Sequence, residues 1–240
     1  MEIKIFDTPD AVAPACADEF TSLLTSKEDC VLGLATGASP VPTYRELVKR
    51  FNAGVISFKH ASSFNLDEYV GLPRNDKNSY YTFMHENLFN SVDIDEANVH
   101  ILNGNAENAE KECADYDLAI DAAGGIDIQL LGIGTNGHIG FNEPSDAFSD
   151  GTFKVKLTDS TVKSNSIYFT ESAMPRYALT MGINSIMKAK KIVLIATGAS
   201  KAEAIKNAVK GEVSPHCPAS ILQKHPDCTL FLDKAAASLL

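Results

Sequence analysis

Short apolar runs alternate with helical patterns along the 240 residues of this chain, and no other feature narrows the choice of fold as far. Residues 30–35, 61–66, 98–102, 126–133, 191–196 and 228–232 read as short buried strands, and an earlier strand starts at residue 2. Residues 9–25, 40–53, 78–90, 106–123 and 200–210 carry an apolar stripe at helical spacing. Strands that are apolar along their length, rather than at alternate positions, need cover on both faces. Strand–helix alternation supplies that cover in a mostly parallel sheet with helices on both faces. The sequence therefore predicts one α/β domain over residues 1–240, with no linker or low-complexity tract dividing it. Residues 145–172 form the most polar long segment and are expected to be a mobile cap within that domain.

Charge and cysteine use exclude several partners. The net charge is −10, so a nucleic-acid backbone or an anionic membrane is repelled, whereas a few local donors suffice for a small anion. No run approaches the roughly 18 apolar residues of a membrane span. The opening MEIKIFDTPD lacks a basic region followed by an apolar one, so no secretory signal is expected. Five cysteines (16, 30, 113, 217 and 228) are an odd number without a C-x-x-C pair. Free thiols and a cytoplasmic location are expected.

Five residues recur. Ala35-Thr36-Gly37-Ala38-Ser39 is repeated as Ala196-Thr197-Gly198-Ala199-Ser200, each copy after a predicted strand and before a helix. Gly37 permits a tight turn, Ser39 suits a helix N-cap and Pro40 the first helical position. Such a junction either holds a phosphate on free N–H groups or is a plain capped turn. Lys201 follows the second copy; it either adds a charge to the same anion or is a solvated first-turn lysine. Both junctions are expected at the carboxyl edge of the sheet, where open α/β folds bind ligands.

Two further segments carry chemistry. In Asn65-Leu66-Asp67-Glu68-Tyr69, adjacent carboxylates end a strand, so at most one of them enters a shared cleft. The segment 131–144, LGIGTNGHIGFNEP, places four glycines in nine residues together with His138 and Glu143. A histidine–carboxylate pair there fixes the imidazole tautomer and raises its basicity. The G-x-G-x-x-G spacing at Gly132, Gly134 and Gly137 does not open a helix, so a dinucleotide site is not expected. His216, Cys217, His225 and Cys228 fit no common zinc spacing, and no metal is expected.

Together these motifs resemble the glucosamine-6-phosphate deaminase (glucosamine-6-phosphate isomerase) family. The matching segments are LGLATGASP at 32–40, FNLDEYVGLP at 64–73, NGNA at 103–106, LGIGTNGHIGFNEP at 131–144, ALTMGI at 178–183 and the lysine of ATGASK at 196–201. The resemblance covers nearly the whole chain in order. It implies a Rossmann-like fold and conversion of glucosamine 6-phosphate and water to fructose 6-phosphate and ammonia, in amino-sugar catabolism and without a cofactor. It implies that Asp67 moves a proton from carbon-2 to carbon-1. It implies that His138 opens the pyranose ring, supported by Glu143 and Asn136. Thr36, Gly37, Ala38, Ser39 and Lys201 would hold the phosphate. The chemistry agrees: ring opening needs a group that takes and returns a proton near neutral pH, and a carboxylate can then shuttle the carbon-2 proton.

The chain departs from the family at several points. Some relatives carry Asp where Asn136 stands, although Asn recurs in short relatives. Many have an arginine after an Asn-Ser or Asn-Ala pair, where Asn165-Ser166 is followed by Ile167. The cationic effector positions of allosteric relatives fall near the apolar Phe153 and Val155, and the longer tail of hexameric members is absent. A non-allosteric monomer acting on a small amino-sugar phosphate is expected, with no nucleic-acid or membrane partner. Two competitors remain at this level. A 6-phosphogluconolactone hydrolase would have no use for Asp67 as a proton shuttle, and a sugar-phosphate sensor is usually joined to a DNA-binding helix-turn-helix. The expected rate curve is hyperbolic and indifferent to N-acetylglucosamine 6-phosphate; steady-state kinetics showing a sigmoid that this compound converts to a hyperbola contradict the reading.

Overall fold

The apolar runs become strands covered on both faces. The computed structural model describes residues 1–169 and 174–240. The chain begins with β1 (Glu2–Phe6), α1 (Pro9–Ser26), β2 (Val31–Leu34), α2 (Val41–Asn52), β3 (Ser62–Asn65) and β4 (Asp67–Tyr69). It continues with α3 (Tyr80–Asn87), β5 (Val99–His100), α4 (Ala109–Ala122) and β6 (Ile128–Leu131). Then come β7 (Phe153–Lys156), α5 (Asp159–Asn165), β8 (Tyr177–Thr180), α6 (Ile183–Met187), β9 (Lys191–Ala196), α7 (Ala202–Lys210) and β10 (Cys228–Asp233). Among the described residues the main sheet has seven strands in the order β1-β10-β9-β6-β2-β3-β5. Every pairing in it is parallel. β2, β6 and β10 are buried at every position, the sign of a sheet covered on both sides. All five cysteines are free thiols, four of them buried.

The winding reverses at β2. The chain proceeds from β2 to β3 and β5 on one side, then returns to place β6, β9 and β10 on the other. This reversal opens a crevice at the carboxyl ends of β2 and β6.

A second sheet was not legible in the sequence. β4, β8 and β7 form an antiparallel three-stranded sheet, with Asp67 opposite Thr180 and Phe153 opposite Thr180 on its other side. It covers a small apolar cluster of its own around Tyr69, Leu72, Phe141, Leu157 and Ala178. The polar segment 145–172 is built into this sheet at β7 and carries α5, while its residues 170–172 lie outside the described residues. Helix boundaries also shift. Asn108 accepts from the Lys111 N–H at 2.9 Å and starts α4 three residues later than expected. Ser79 accepts from the Thr82 N–H and caps α3.

At the amino edge of the sheet, Asp127 is a clamp. Its carboxylate accepts from Lys27 Nζ and Lys190 Nζ, each at 2.7 Å, and from the Val31 N–H at 2.8 Å. Burial alone would raise this carboxyl, but the two lysines and the amide outweigh it and hold it below its ordinary value. Asp127→Ala leaves a buried amide unpaired and two lysines without their partner. Urea unfolding is expected to show a loss of about 3 kcal/mol.

Candidate active site

Four consecutive strands of the main sheet deliver the pieces of one cleft. The turn after β2 brings Ala35–Ser39, the β3–β4 junction brings Leu66 and Asp67, the loop after β6 brings Gly132–His138, and the turn after β9 brings Lys201. The cleft has a volume of about 360 Å³. Every site residue singled out in the sequence lines it except Glu143, which stands behind His138.

Asp67 sits where the chain changes sheets. The Leu66 N–H donates to Leu34 O in the main sheet at 3.0 Å, while Leu66 O accepts from the Met181 N–H at 2.8 Å beside the small sheet. The next residue, Asp67, is 6% exposed. Burial, reinforced by the neighbouring Glu68 charge and only partly offset by the Thr36 hydroxyl, pushes its carboxyl up to about 8. As strand alternation requires, Glu68 points the other way. It accepts from the N–H groups of Tyr69, Tyr80 and Tyr81 at 2.8–2.9 Å and so tethers the start of α3. The NGNA glycine packs here too: a Cβ on Gly104 would collide with the Tyr69 carbonyl.

The glycine-dense loop exists to seat His138. The Gly134 N–H donates to His138 O at 2.9 Å, closing a tight turn in which Gly137 has φ +84°. The imidazole lies where a Cβ on Gly134 would be, so a larger residue there would push His138 out of its place. No helix follows, as expected for a loop that is not a dinucleotide fingerprint. His138 Nδ1 stands 3.5 Å from Glu143 Oε2. That is at the limit of hydrogen-bond length, and Nδ1 has no formed hydrogen bond among the described residues. Asn136 ties the pair together: its Nδ2 donates to Glu143 Oε2 at 2.7 Å and its Oδ1 accepts from the His138 N–H at 3.2 Å. Thr158 Oγ1 donates to Glu143 Oε1 at 3.1 Å, and Thr161 donates to the same oxygen. Burial would raise Glu143, but His138, Thr161 and Asn136 overcome it and hold the carboxyl at about 2.

The repeated turns share a backbone and differ in use. Gly37 and Gly198 have φ +95° and +87°. The Gly198 N–H donates to both Asp233 carboxylate oxygens at 3.0 Å, so the chain's own carboxylate occupies the second turn. Only Lys201 reaches the cleft from that copy; its Nζ donates to Ile133 O at 2.6 Å, and burial lowers its pKa. The first turn opens into the cleft and is anchored by the Tyr44 hydroxyl, which bonds the N–H and the carbonyl of Ala35. Ser39 does not cap α2. The N-cap is Pro40, without a side-chain bond, because the turn runs one residue further and frees the Ser39 side chain to line the cleft.

Tyr80, Phe141, Ser160, Thr161 and Asn165 also line the cleft. Tyr80 and the α5 residues belong to segments without a chemical motif, and only their tertiary position marks them. Ile167 is 69% exposed and not part of the lining. Phe153 and Val155 line a separate, smaller cavity of about 240 Å³ behind Glu143. His225, from the discarded metal pattern, bonds Ala189 O through Nε2 at 2.8 Å, and its Nδ1 accepts from the Asp227 N–H at 3.1 Å. Cys217 packs against Gly137 instead.

Fold and cleft define an open α/β protein with a buried carboxylate, a histidine–glutamate pair and a lysine-flanked turn at one sheet edge. The family described as glucosamine-6-phosphate isomerases/6-phosphogluconolactonase matches residues 7–231, and the chain belongs to that family. It is 54% identical over 226 residues to a glucosamine-6-phosphate deaminase of Lysinibacillus sphaericus, covering 94% of this chain and 95% of the relative. A solved monomeric glucosamine-6-phosphate deaminase superposes with a TM-score of 0.97 at 42% identity, over 100% of both chains. A 6-phosphogluconolactonase from Trypanosoma cruzi shares the fold, with a TM-score of 0.81 at 19% identity over 100% of this chain and 96% of that one.

The raised Asp67 carboxyl has a stability consequence. The folded chain binds this proton more tightly than the unfolded chain, whose Asp titrates near 3.9. The contribution is present below about pH 4 and lost as pH rises through about 8. Asp67→Asn removes the buried charge, so its melting temperature should exceed the parent's at pH 8, with the gap closing by pH 4 in thermal scans.

Proposed function

We propose that the chain is a glucosamine-6-phosphate deaminase, converting glucosamine 6-phosphate and water to fructose 6-phosphate and ammonia. The observation that carries this reading is the meeting, in one cleft, of a carboxyl raised well above its ordinary value with a separate histidine backed by Glu143. The closeness to deaminases over the full chain supports it.

In the proposed mechanism His138 takes the proton of the anomeric hydroxyl and returns one to the ring oxygen, opening the pyranose. Glu143, kept ionised, stabilises the imidazolium that forms. The resulting aldehyde acidifies carbon-2. Ionised Asp67 removes the carbon-2 proton while the carbonyl oxygen takes up a proton, giving an enolamine. Asp67 then delivers its proton to carbon-1 as the amine gives one up, leaving the imine of fructose 6-phosphate, to which water adds and from which ammonia leaves. Each step moves protons and no step moves electrons to an acceptor, so the sequence runs without a redox cofactor. Lys201 and the turn from Thr36 to Ser39 hold the phosphate, Lys201 as a point charge in a half-dry setting. Asn136 serves as the bridge between His138 and Glu143, a role that an amide fills without a second charge.

No helix among the described residues is long and apolar enough to cross a membrane. With five free thiols, a reducing cytoplasm is the compartment we propose. We propose a monomer that lacks an anionic effector site, since Phe153 and Val155 give their cavity an apolar wall.

The decisive experiment measures ammonia and fructose 6-phosphate released from glucosamine 6-phosphate by the purified protein. Equal yields are expected; hydrolysis of 6-phosphogluconolactone without ammonia release overturns the reading. kcat/KM should fall tenfold per pH unit below about 8, because Asp67 must be ionised to act. Asp67→Asn should lower kcat by about a thousandfold. Lys201→Ala should raise KM by roughly tenfold or more, the worth of a charge-assisted phosphate contact.

A further inference from the structure

The first ATGAS turn lines the cleft along its whole length, whereas the second sends in only the lysine that follows it. The second turn is filled from behind by Asp233, the last residue of β10, which is 3% exposed. The Asp233 backbone is held at both ends. It stands opposite Phe6 of β1, the Lys234 N–H donates to Phe6 O at 2.9 Å, and Asp233 O accepts from the Ala237 N–H at 3.0 Å. Its carboxylate accepts the Gly198 N–H on both oxygens at 3.0 Å and the Ala236 N–H on Oδ1 at 2.7 Å. The carboxylate is thus a fixed post on the strand next to β9.

Gly198 is the point from which Lys201 takes its direction. The Lys201 N–H donates to Gly198 O at 3.1 Å, closing the turn, and Lys201 Nζ then reaches Ile133 O at 2.6 Å on the loop after β6. Gly198 has φ +87° and ψ 152°, a conformation open to glycine almost alone. Glycine also leaves such a conformation cheaply, because it has no side chain to pack in place. The Gly198 peptide is therefore held by what its N–H meets, and that is Asp233. A turn with free N–H groups attracts an anion. In the second copy the chain supplies that anion itself, which leaves the first turn for an anion in the cleft and turns the second into a mount for Lys201.

We propose that Asp233 is a positioning residue for phosphate binding: its carboxylate fills the second ATGAS turn, fixes the Gly198 peptide and so sets where the Lys201 ammonium enters the cleft. The proposal rests on the phosphate role given to Lys201 above. The experiment is a double-mutant cycle of Asp233→Ala and Lys201→Ala, with Asp233→Asn as the conservative variant. Its readouts are the Kd for inorganic phosphate, from amide-proton NMR titration, and kcat and KM with glucosamine 6-phosphate. Asp233→Ala should raise Kd and KM about fivefold, part of the roughly tenfold assigned to the lysine, with kcat within about twofold. Asn keeps an oxygen that accepts from both amides, so Asp233→Asn should stay within about twofold of the parent. With Lys201→Ala already present, Asp233→Ala should add less than about twofold. A merely structural role would lower the folded fraction, and with it the apparent kcat, while the folded molecules kept the parental KM and Kd. Parental KM and Kd in Asp233→Ala, or a fivefold loss that persists without Lys201, overturns the proposal. In the parent itself the Gly198 amide should be protected from hydrogen exchange in the absence of phosphate; free exchange there overturns the proposal even if Asp233→Ala does not fold. Unchanged phosphate binding in Lys201→Ala overturns the phosphate role of Lys201 and this proposal with it. A parent that binds phosphate but releases no ammonia overturns the deaminase reading alone, and the phosphate cycle still decides on Asp233.

Discussion

Leu66 donates its N–H to one sheet and lends its carbonyl to the edge of another. Those two backbone bonds turn the chain out of the parallel sheet and into the antiparallel one within a single residue, between β3 and β4. The position of Asp67 depends on that turn, because a strand continuing straight would carry the carboxylate past the cleft. The placement of β7 and α5 depends on it too, since β8 pairs with β4 on one side and β7 on the other. The small sheet is therefore the frame that brings α5 over the carboxyl edge, where its threonines reach Glu143.

Two buried aspartates at opposite edges of the same sheet show how environment divides structure from chemistry. Asp127 is surrounded by two lysines and an amide, and its charge is satisfied, so it stabilises the amino edge. Asp67 has a neighbouring carboxylate and one hydroxyl, and its charge is poorly satisfied, so it is basic. Glu143 is the third arrangement: it is buried, yet enough donors and His138 surround it to keep it ionised. A carboxyl held above its ordinary value and one held below it are thus separated by their hydrogen-bond partners rather than by their depth.

The main sheet was legible because parallel strands covered on both faces leave continuous apolar runs, as in 191–196 and 228–232. The cleft was legible because its residues sit in compact motifs, each directly after a strand, where open α/β sheets bind ligands. Alternation placed at most one of the strand-end carboxylates in the cleft, and Asp67 and Glu68 do face opposite ways; that Asp67 is the one came from the resemblance. The small sheet was not legible. β4 has three residues and β7 and β8 four each, with β7 half exposed, so neither length nor burial separates them from loop. Tyr80 and Asn165 escaped for another reason: a phenol or an amide becomes part of a cleft only through what it faces.

The order of residues along the chain determined the fold class, the edge of the sheet that carries the site, and the residue types able to do its acid–base chemistry. Those properties follow from periodicity and spacing, which are local. The raised Asp67 carboxyl, the donors from Thr158 and Thr161 that surround Glu143 and the closing of the second ATGAS turn by Asp233 were decided by tertiary structure. Each depends on partners brought together from distant parts of the chain or on removal from water, and both arise only when separate segments pack against one another.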